Sequence, residues 1–127
     1  MKLIIAGTRD LDEVFGQYTI RTVILKAVSK FSEAPTEIVS GHSGVVDRAG
    51  EDYALFREIP CRRFPYKSEY GKAGGPIRNQ EMAEYADALL LIWDGKSKGS
   101  RSMLREARKA KLPIGQVVLS YEFFREN

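Results

Sequence analysis

The stretch AGGPIRNQEM, residues 73–82, places two glycines and a proline one residue before an arginine and an asparagine. Gly75 can take backbone angles closed to other residues, and Pro76 suits a first helical position because its missing N–H would be unpaired there anyway. The unpaired N–H groups and the positive dipole end of such a helix attract an anion, with phosphate the usual one. Arg78 in that first turn opposes the dipole, a conflict that a bound anion resolves. A solvated surface arginine is the plainer alternative.

Three further segments carry the same kind of residue: Gly7-Thr8-Arg9-Asp10, SGHSGVVD from Ser40 to Asp47, and WDGKSKGS from Trp93 to Ser100. Their glycines let backbone N–H groups approach a phosphate, and the hydroxyls of Thr8, Ser40, Ser97 and Ser100 can donate to it. Arg9 and Arg78 can add bidentate, charge-assisted contacts. Each loop alone is ordinary turn chemistry. None matches the Walker A pattern or the dinucleotide GxGxxG spacing.

Other single residues have a chemical and a plain reading. His42, the one histidine, is a candidate acid or base, but a loop histidine beside serine is more often a turn or rim residue. Asp47 and Glu51 lie one helical turn apart and can meet a ribose or pair with neighbouring cations. Trp93 can stack on a base or simply fill the core. Cys61, after Pro60, reads as a small apolar residue. The segment Arg105–Lys111 reads as a solvated helix face with cations near its end.

Five apolar runs can position these loops as strands: Lys2–Ala6, Glu37–Ser40, Cys61–Pro65, Ala88–Trp93 and Gly115–Leu119. Most are continuous rather than alternating, as in parallel strands covered on both faces. Helical periods separate them. Ile20, Ile24, Ala27, Val28 and Phe31 share one face, as do Val46, Ala49, Gly50, Tyr53 and Ala54, where Gly50 permits close packing on a sheet. A third helix is expected from Pro76 to about Tyr85. A fourth runs from Ser100 to about Lys111, with Met103, Leu104 and Ala107 facing inward. Strand–helix alternation predicts a three-layer, Rossmann-like α/β fold with a mainly parallel five-stranded sheet. In such sheets ligands bind beyond the carboxyl ends of the strands, where the four glycine-bearing segments would converge.

At 127 residues, with 43% hydrophobic and 29% charged residues, the chain fits one globular domain over residues 1–127. One cysteine excludes an internal disulfide, and one histidine argues against the usual zinc clusters, so neither metal nor cofactor is expected. The opening MKLIIAGTRD is too poor in apolar residues for a signal peptide, and no run approaches a membrane span. A reducing cytoplasm is the expected compartment. A net charge of +3 suits anionic small molecules and nucleic acid alike. A short docking turn can form over Tyr121–Asn127.

The stretches IIAGTRD, SG…DRAGEDYA, YGKAGGPIRNQEMAEYADALLLIWDGKSKGS and ARKAKLPIGQVVL together resemble the YspA/YpsA-related branch of the SLOG superfamily. Its relatives include lysine-decarboxylase-like phosphoribohydrolases and the DprA proteins. The resemblance implies a Rossmann-like domain that binds nucleotides or their derivatives, a homo-oligomer, and a place in bacterial conflict, stress or phage systems. Gly7, Thr8, Arg9, Asp47, Glu51, Gly75, Arg78, Asn79, Asp94, Gly95, Ser97, Gly99 and Ser100 stand where the branch's motif residues fall. Two positions depart from it. His42 occupies the place of a second small residue, with the later glycine at Gly44. Met103 stands where the phosphoribohydrolase PGGxGTxxE loop ends in a glutamate that assists glycosidic cleavage, and a thioether cannot exchange a proton.

The residues expected around a ligand are Gly7, Thr8, Arg9, Ser40, Gly41, His42, Asp47, Gly75, Arg78, Asn79, Trp93, Asp94, Gly95, Ser97, Gly99 and Ser100. The leading expectation is sensing or sequestration of a nucleotide-derived ligand. An N-glycosidic hydrolase using Asp47, Glu51 or Asp94 is the alternative. Single-stranded nucleic-acid binding ranks last, because the positive charges are interleaved with acids rather than gathered in a groove.

Overall fold

The computed structural model describes residues 1–119, with only the backbone of residues 12–14; the turn expected over Tyr121–Asn127 lies outside them. In chain order the elements are β1 (Lys2–Gly7), α1 (Asp12–Val28), β2 (Glu37–Ser40), α2 (Val45–Arg57) and β3 (Cys61–Arg63). A 3₁₀ segment (Ser68–Ala73) then leads into α3 (Gly74–Tyr85), β4 (Ala88–Trp93), α4 (Lys98–Lys109) and β5 (Ile114–Val118). The five strands form one sheet in the order β3-β2-β1-β4-β5, and every neighbouring pair is parallel. The expected fold class holds.

Alternation along β1 and β4 builds the three layers. Leu3, Ile5, Leu90 and Ile92 face Ile20, Ile24, Val46 and Ala49 of α1 and α2. Ile4, Ala6, Leu89 and Leu91 face Met82, Ala83, Met103 and Leu104 of α3 and α4. All six residues of β4 are buried, so its unbroken apolar run is what a central strand covered on both faces requires.

Element ends moved by one or two residues. β3 stops at Arg63 rather than Pro65, since proline has no N–H for the ladder, although Phe64 N–H still donates to Ser40 O at 2.7 Å. β5 slides one residue earlier, and α3 and α4 each begin two residues earlier. Phe31 falls beyond the end of α1, yet its ring still packs on the sheet at Gly115. Within α1, Gly16 breaks the helical angles at φ 75°, ψ 157°.

Two glycines set how closely neighbouring elements meet. A Cβ on Gly50 would lie 2.9 Å from Ile5 Cβ, so the absence of a side chain brings α2 down onto β1. A Cβ on Gly7 would lie 1.8 Å from the carbonyl oxygen of Ile92. That neighbour is backbone and cannot turn aside. Gly7→Ala is therefore expected to lower unfolding free energy by about 3 kcal/mol, the upper end for overpacking, measured as a reduced urea midpoint. Wild-type stability in that variant would contradict the close approach.

Candidate functional site

The sheet order reverses between β1 and β4. The chain leaves β1 toward α1 on one face and leaves β4 toward α4 on the other, which opens a crevice at the carboxyl edge. A cavity of about 330 Å³ occupies it, near the low end of the range for small-molecule sites. Its wall takes Gly7, Thr8, Arg9 and Asp10 from the first loop, and Gly41, Ser43 and Asp47 from the second. Arg78, Asn79 and Met82 of α3 add to it, with Ser97, Gly99, Ser100 and Met103 from the start of α4.

Ten of the residues expected around a ligand thus meet on one wall: Gly7, Thr8, Arg9, Gly41, Asp47, Arg78, Asn79, Ser97, Gly99 and Ser100. Six do not line it: Ser40, His42, Gly75, Trp93, Asp94 and Gly95. Each has another occupation. Trp93 is core, its Nε1 donating to Gln116 Oε1 at 2.9 Å. Gly95 makes a turn at φ 81°. Gly75 lies inside α3 with ordinary helical angles; it is Gly74 that a side chain would block, its Cβ falling 2.2 Å from Lys67 O.

Arg78 also differs from its expected place. Because α3 starts at Gly74, Arg78 is the fifth helical residue and not in the first turn. Its Nη1 donates to Gly41 O at 2.7 Å, and its Nε to Asn79 Oδ1 at 3.1 Å. The guanidinium converges with Asp47 on Gly41, where a Cβ would lie 2.6 Å from Arg78 Nη1 and 3.3 Å from Asp47 Oδ2. Unlike α3, α4 presents its N-terminus to the cavity, through Ser97, Gly99 and Ser100.

At that N-terminus most polar groups are accounted for. Asp94 Oδ1 accepts from the N–H groups of Lys96 and Ser97 at 2.8 and 2.9 Å and from Thr8 Oγ1 at 3.2 Å. Ser97 is the N-cap, its Oγ accepting from Ser100 N–H at 3.3 Å, while Arg101 N–H donates to Ser97 O. Asn79 Nδ2 holds this turn against α3 through Gly99 O and Ser102 Oγ. The N–H groups of Lys98 and Gly99 are left without a partner among the described residues. So is Ser100 Oγ, on a residue only 4% exposed. A buried hydroxyl with no partner costs about 1–3 kcal/mol, and this one sits at the positive end of a helix dipole on a cavity wall.

The three candidate carboxylates separate. Burial pushes the Asp94 carboxyl up, but its hydrogen bonds from Lys96, Ser97 and Thr8 outweigh that and hold it below its ordinary range. Glu51 lies off the wall in a cluster of its own: Ser40 Oγ and His42 Nδ1 each 2.8 Å from Oε2, and Arg63 Nε 3.1 Å from Oε1. Burial raises Glu51 too, and those partners bring it below its ordinary range. Asp47 alone faces the cavity. Burial raises its carboxyl, and the bonds from Ser43 N–H and Oγ, both 2.9 Å, with Arg78 nearby, reduce the rise without cancelling it.

Sequence reasoning missed Ala6, Asp10, Ser43 and Met82 on the wall. Ser43 carried a readable signal, because an acid at the third helical position of α2 reaches back to a donor just before the helix. Met82 shares the inward face of α3 with Asn79 and Ala83, a spacing that marks core as readily as cavity.

The chain matches no protein-family model and no curated protein. Among the described residues there is no group of three or more His, Cys, Asp or Glu able to hold a metal, and no helix long and apolar enough to cross a membrane.

The two loop aspartates carry opposite pH signatures. With its folded pKa raised above 3.8, Asp47 contributes stability that is present below that pH and lost as pH rises through the folded value. With its folded pKa lowered, Asp94 contributes stability that is present above 3.8 and lost as pH falls through the folded value. Urea unfolding between acid and neutral pH should therefore show Asp47→Asn gaining on wild type as pH rises, and Asp94→Asn losing ground. Parallel pH profiles for both variants would contradict these environments.

Proposed function

We propose that this chain binds a nucleotide-derived ligand in the cavity at the β1–β4 crevice, its phosphate at the N-terminus of α4, and does not rapidly cleave the glycosidic bond. One observation carries the reading: the unpartnered, buried Ser100 Oγ beside the free N–H groups of Lys98 and Gly99. Phosphate is a strong multiple acceptor and suits unpaired donors at a helix start, of which Gly99 and Ser100 line the cavity. Arg9 on the rim adds positive charge. The resemblance to the SLOG superfamily points to the same ligand class. Met82 and Met103 supply an apolar, polarizable floor against which a base can pack.

Support for binding without cleavage is also local. Met103 lies on the wall; by the resemblance it stands where the hydrolases carry their glutamate, and losing a positioned acid or base typically removes a factor of ~10²–10⁴ in rate. Asp94 is committed to its own loop, and Glu51 faces His42, Ser40 and Arg63. Asp47 favours the second reading, an N-glycosidic hydrolase, because a carboxyl on the cavity wall whose pKa is raised by burial is suited to proton transfer.

Native mass spectrometry of protein purified from cells should reveal a co-purifying nucleotide. Calorimetry with nucleoside monophosphates and dinucleotides should then show Ser100→Ala weakening the binder about tenfold or more, the loss expected for a hydrogen bond to a charged group. The same variant should unfold at equal or higher urea, since it removes an unsatisfied buried hydroxyl. Unchanged affinity would overturn the assignment of the α4 terminus. Chromatography of the same mixtures should detect no free base, and turnover at ordinary enzyme rates abolished by Asp47→Asn would establish the hydrolase instead.

A further inference from the structure

Acids and bases interleave along most of the sequence, but one stretch breaks that balance. Residues 95–119 hold seven Lys or Arg and a single acid, Glu106, although the whole chain carries only +3. Most of these cations belong to α4, whose inward face of Ser100, Met103, Leu104 and Ala107 is buried. Lys98, Arg101, Arg105 and Arg108 follow one another at steps of three and four residues. They form one exposed stripe, about 15 Å long, on the outward side. Lys109 pairs with Glu106 at 3.6 Å. The four stripe residues, and Lys111 just beyond the helix, have no ion pair or side-chain hydrogen bond among the described residues.

Helix stability does not account for the stripe. Arg108 and Lys109 suit the negative end of the α4 dipole, but Lys98 and Arg101 oppose its positive end, where no acid offsets them. Like charges at neighbouring helical positions also repel one another. No stripe residue lines the β1–β4 cavity, so a ligand there does not explain them.

Whatever meets this face must be anionic and must dispense with apolar contact. None of the large exposed apolar residues among those described belongs to α4. A protein partner needs an apolar core at its interface, and a single strand needs aromatic platforms for its bases. A flat anionic membrane laid on α4 would also meet α3, which Asn79 ties to Gly99 and Ser102 and which carries Glu81 and Glu84. A duplex is a narrower rod that hides its bases and lines its outside with phosphates. The B-form major groove, about 12 Å wide, admits a helix about 10–12 Å across, whereas the A-form groove of RNA is too narrow to enter. We infer that the outward face of α4 docks duplex DNA, with Lys98, Arg101, Arg105 and Arg108 on backbone phosphates. This surface is separate from the cavity and stands apart from the ligand reading.

Fluorescence anisotropy of a labelled DNA duplex of about 20 base pairs, titrated with the full chain between about 50 and 200 mM salt, tests it. Wild type should bind with a micromolar dissociation constant at the lower salt. With four phosphate contacts, the logarithm of its affinity should fall with a slope of about −3 to −4 against the logarithm of salt concentration. Arg101→Ala should lower that slope by about 1. Arg105→Glu combined with Arg108→Glu should weaken binding more than tenfold while melting as wild type does, because both positions are exposed. Lys26→Glu with Lys30→Glu makes the same change in net charge at exposed positions elsewhere, and should stay within about twofold of wild type. The single strand, an RNA duplex of the same sequence and vesicles containing phosphatidylserine should each bind more weakly than duplex DNA. A wild type indifferent to duplex DNA would overturn the proposal, as would a loss shared equally by the two charge-reversed pairs. Equal or tighter binding of the single strand, the RNA or the vesicles would overturn it as well.

Discussion

The carboxyl edge of the sheet depends on how closely β1 and β4 run together where they end. Gly7 has no side chain and lies against the Ile92 carbonyl, and Thr8 N–H donates to that same oxygen at 3.2 Å. One residue further on, the Thr8 hydroxyl exchanges hydrogen bonds with Asp94, accepting from its N–H and donating to its carboxylate. Two loops that depart to opposite faces of the sheet are thereby tied at their roots. Asp94 then uses its remaining capacity on Lys96 and Ser97, which fixes where α4 begins. Free donors at that helix start are what remains after the tie has consumed the others.

The second loop is organised by charge in a confined space. Arg78 crosses from α3 to the Gly41 carbonyl, and Asp47 folds back onto Ser43, so both side chains meet over a glycine. Burial penalises each charge, and each relieves the other, which is the usual balance for a partly buried pair. Behind this loop, Ser40 joins Glu51 to the backbone N–H of His42 and holds that residue at φ 54°. The His42–Glu51–Arg63 cluster thus shapes the loop from outside the cavity.

The fold was legible because its signals are strong and local. An unbroken apolar β4, the helical periods of α2 and α4, and glycines at the strand ends specify a parallel, doubly covered sheet without further information. That the entry of α3 turns away from the cavity was not legible. The Gly-Gly-Pro entry of α3 is the more conspicuous motif, but its glycines answer to Tyr66 and Lys67 rather than to the crevice. The modest Ser97-Lys98-Gly99-Ser100 start of α4 occupies that place, since β4 sits at the switch in strand order. Spacing alone also could not tell Asp47 from Glu51. One helical turn separates them, and that turn carries Asp47 to the cavity wall and Glu51 to the His42 cluster.

The central claim is that the first turn of α4 receives a phosphate. Amide resonances in a nitrogen–proton correlation spectrum, followed as a nucleoside 5′-monophosphate is added, test it most directly. Gly99 and Lys98 N–H should move downfield in a saturable way, as expected for donors that gain a charged acceptor, with smaller changes at Thr8 and Gly41. Saturable shifts confined to residues away from the cavity, or a spectrum unchanged by every nucleotide and by inorganic phosphate, would contradict it.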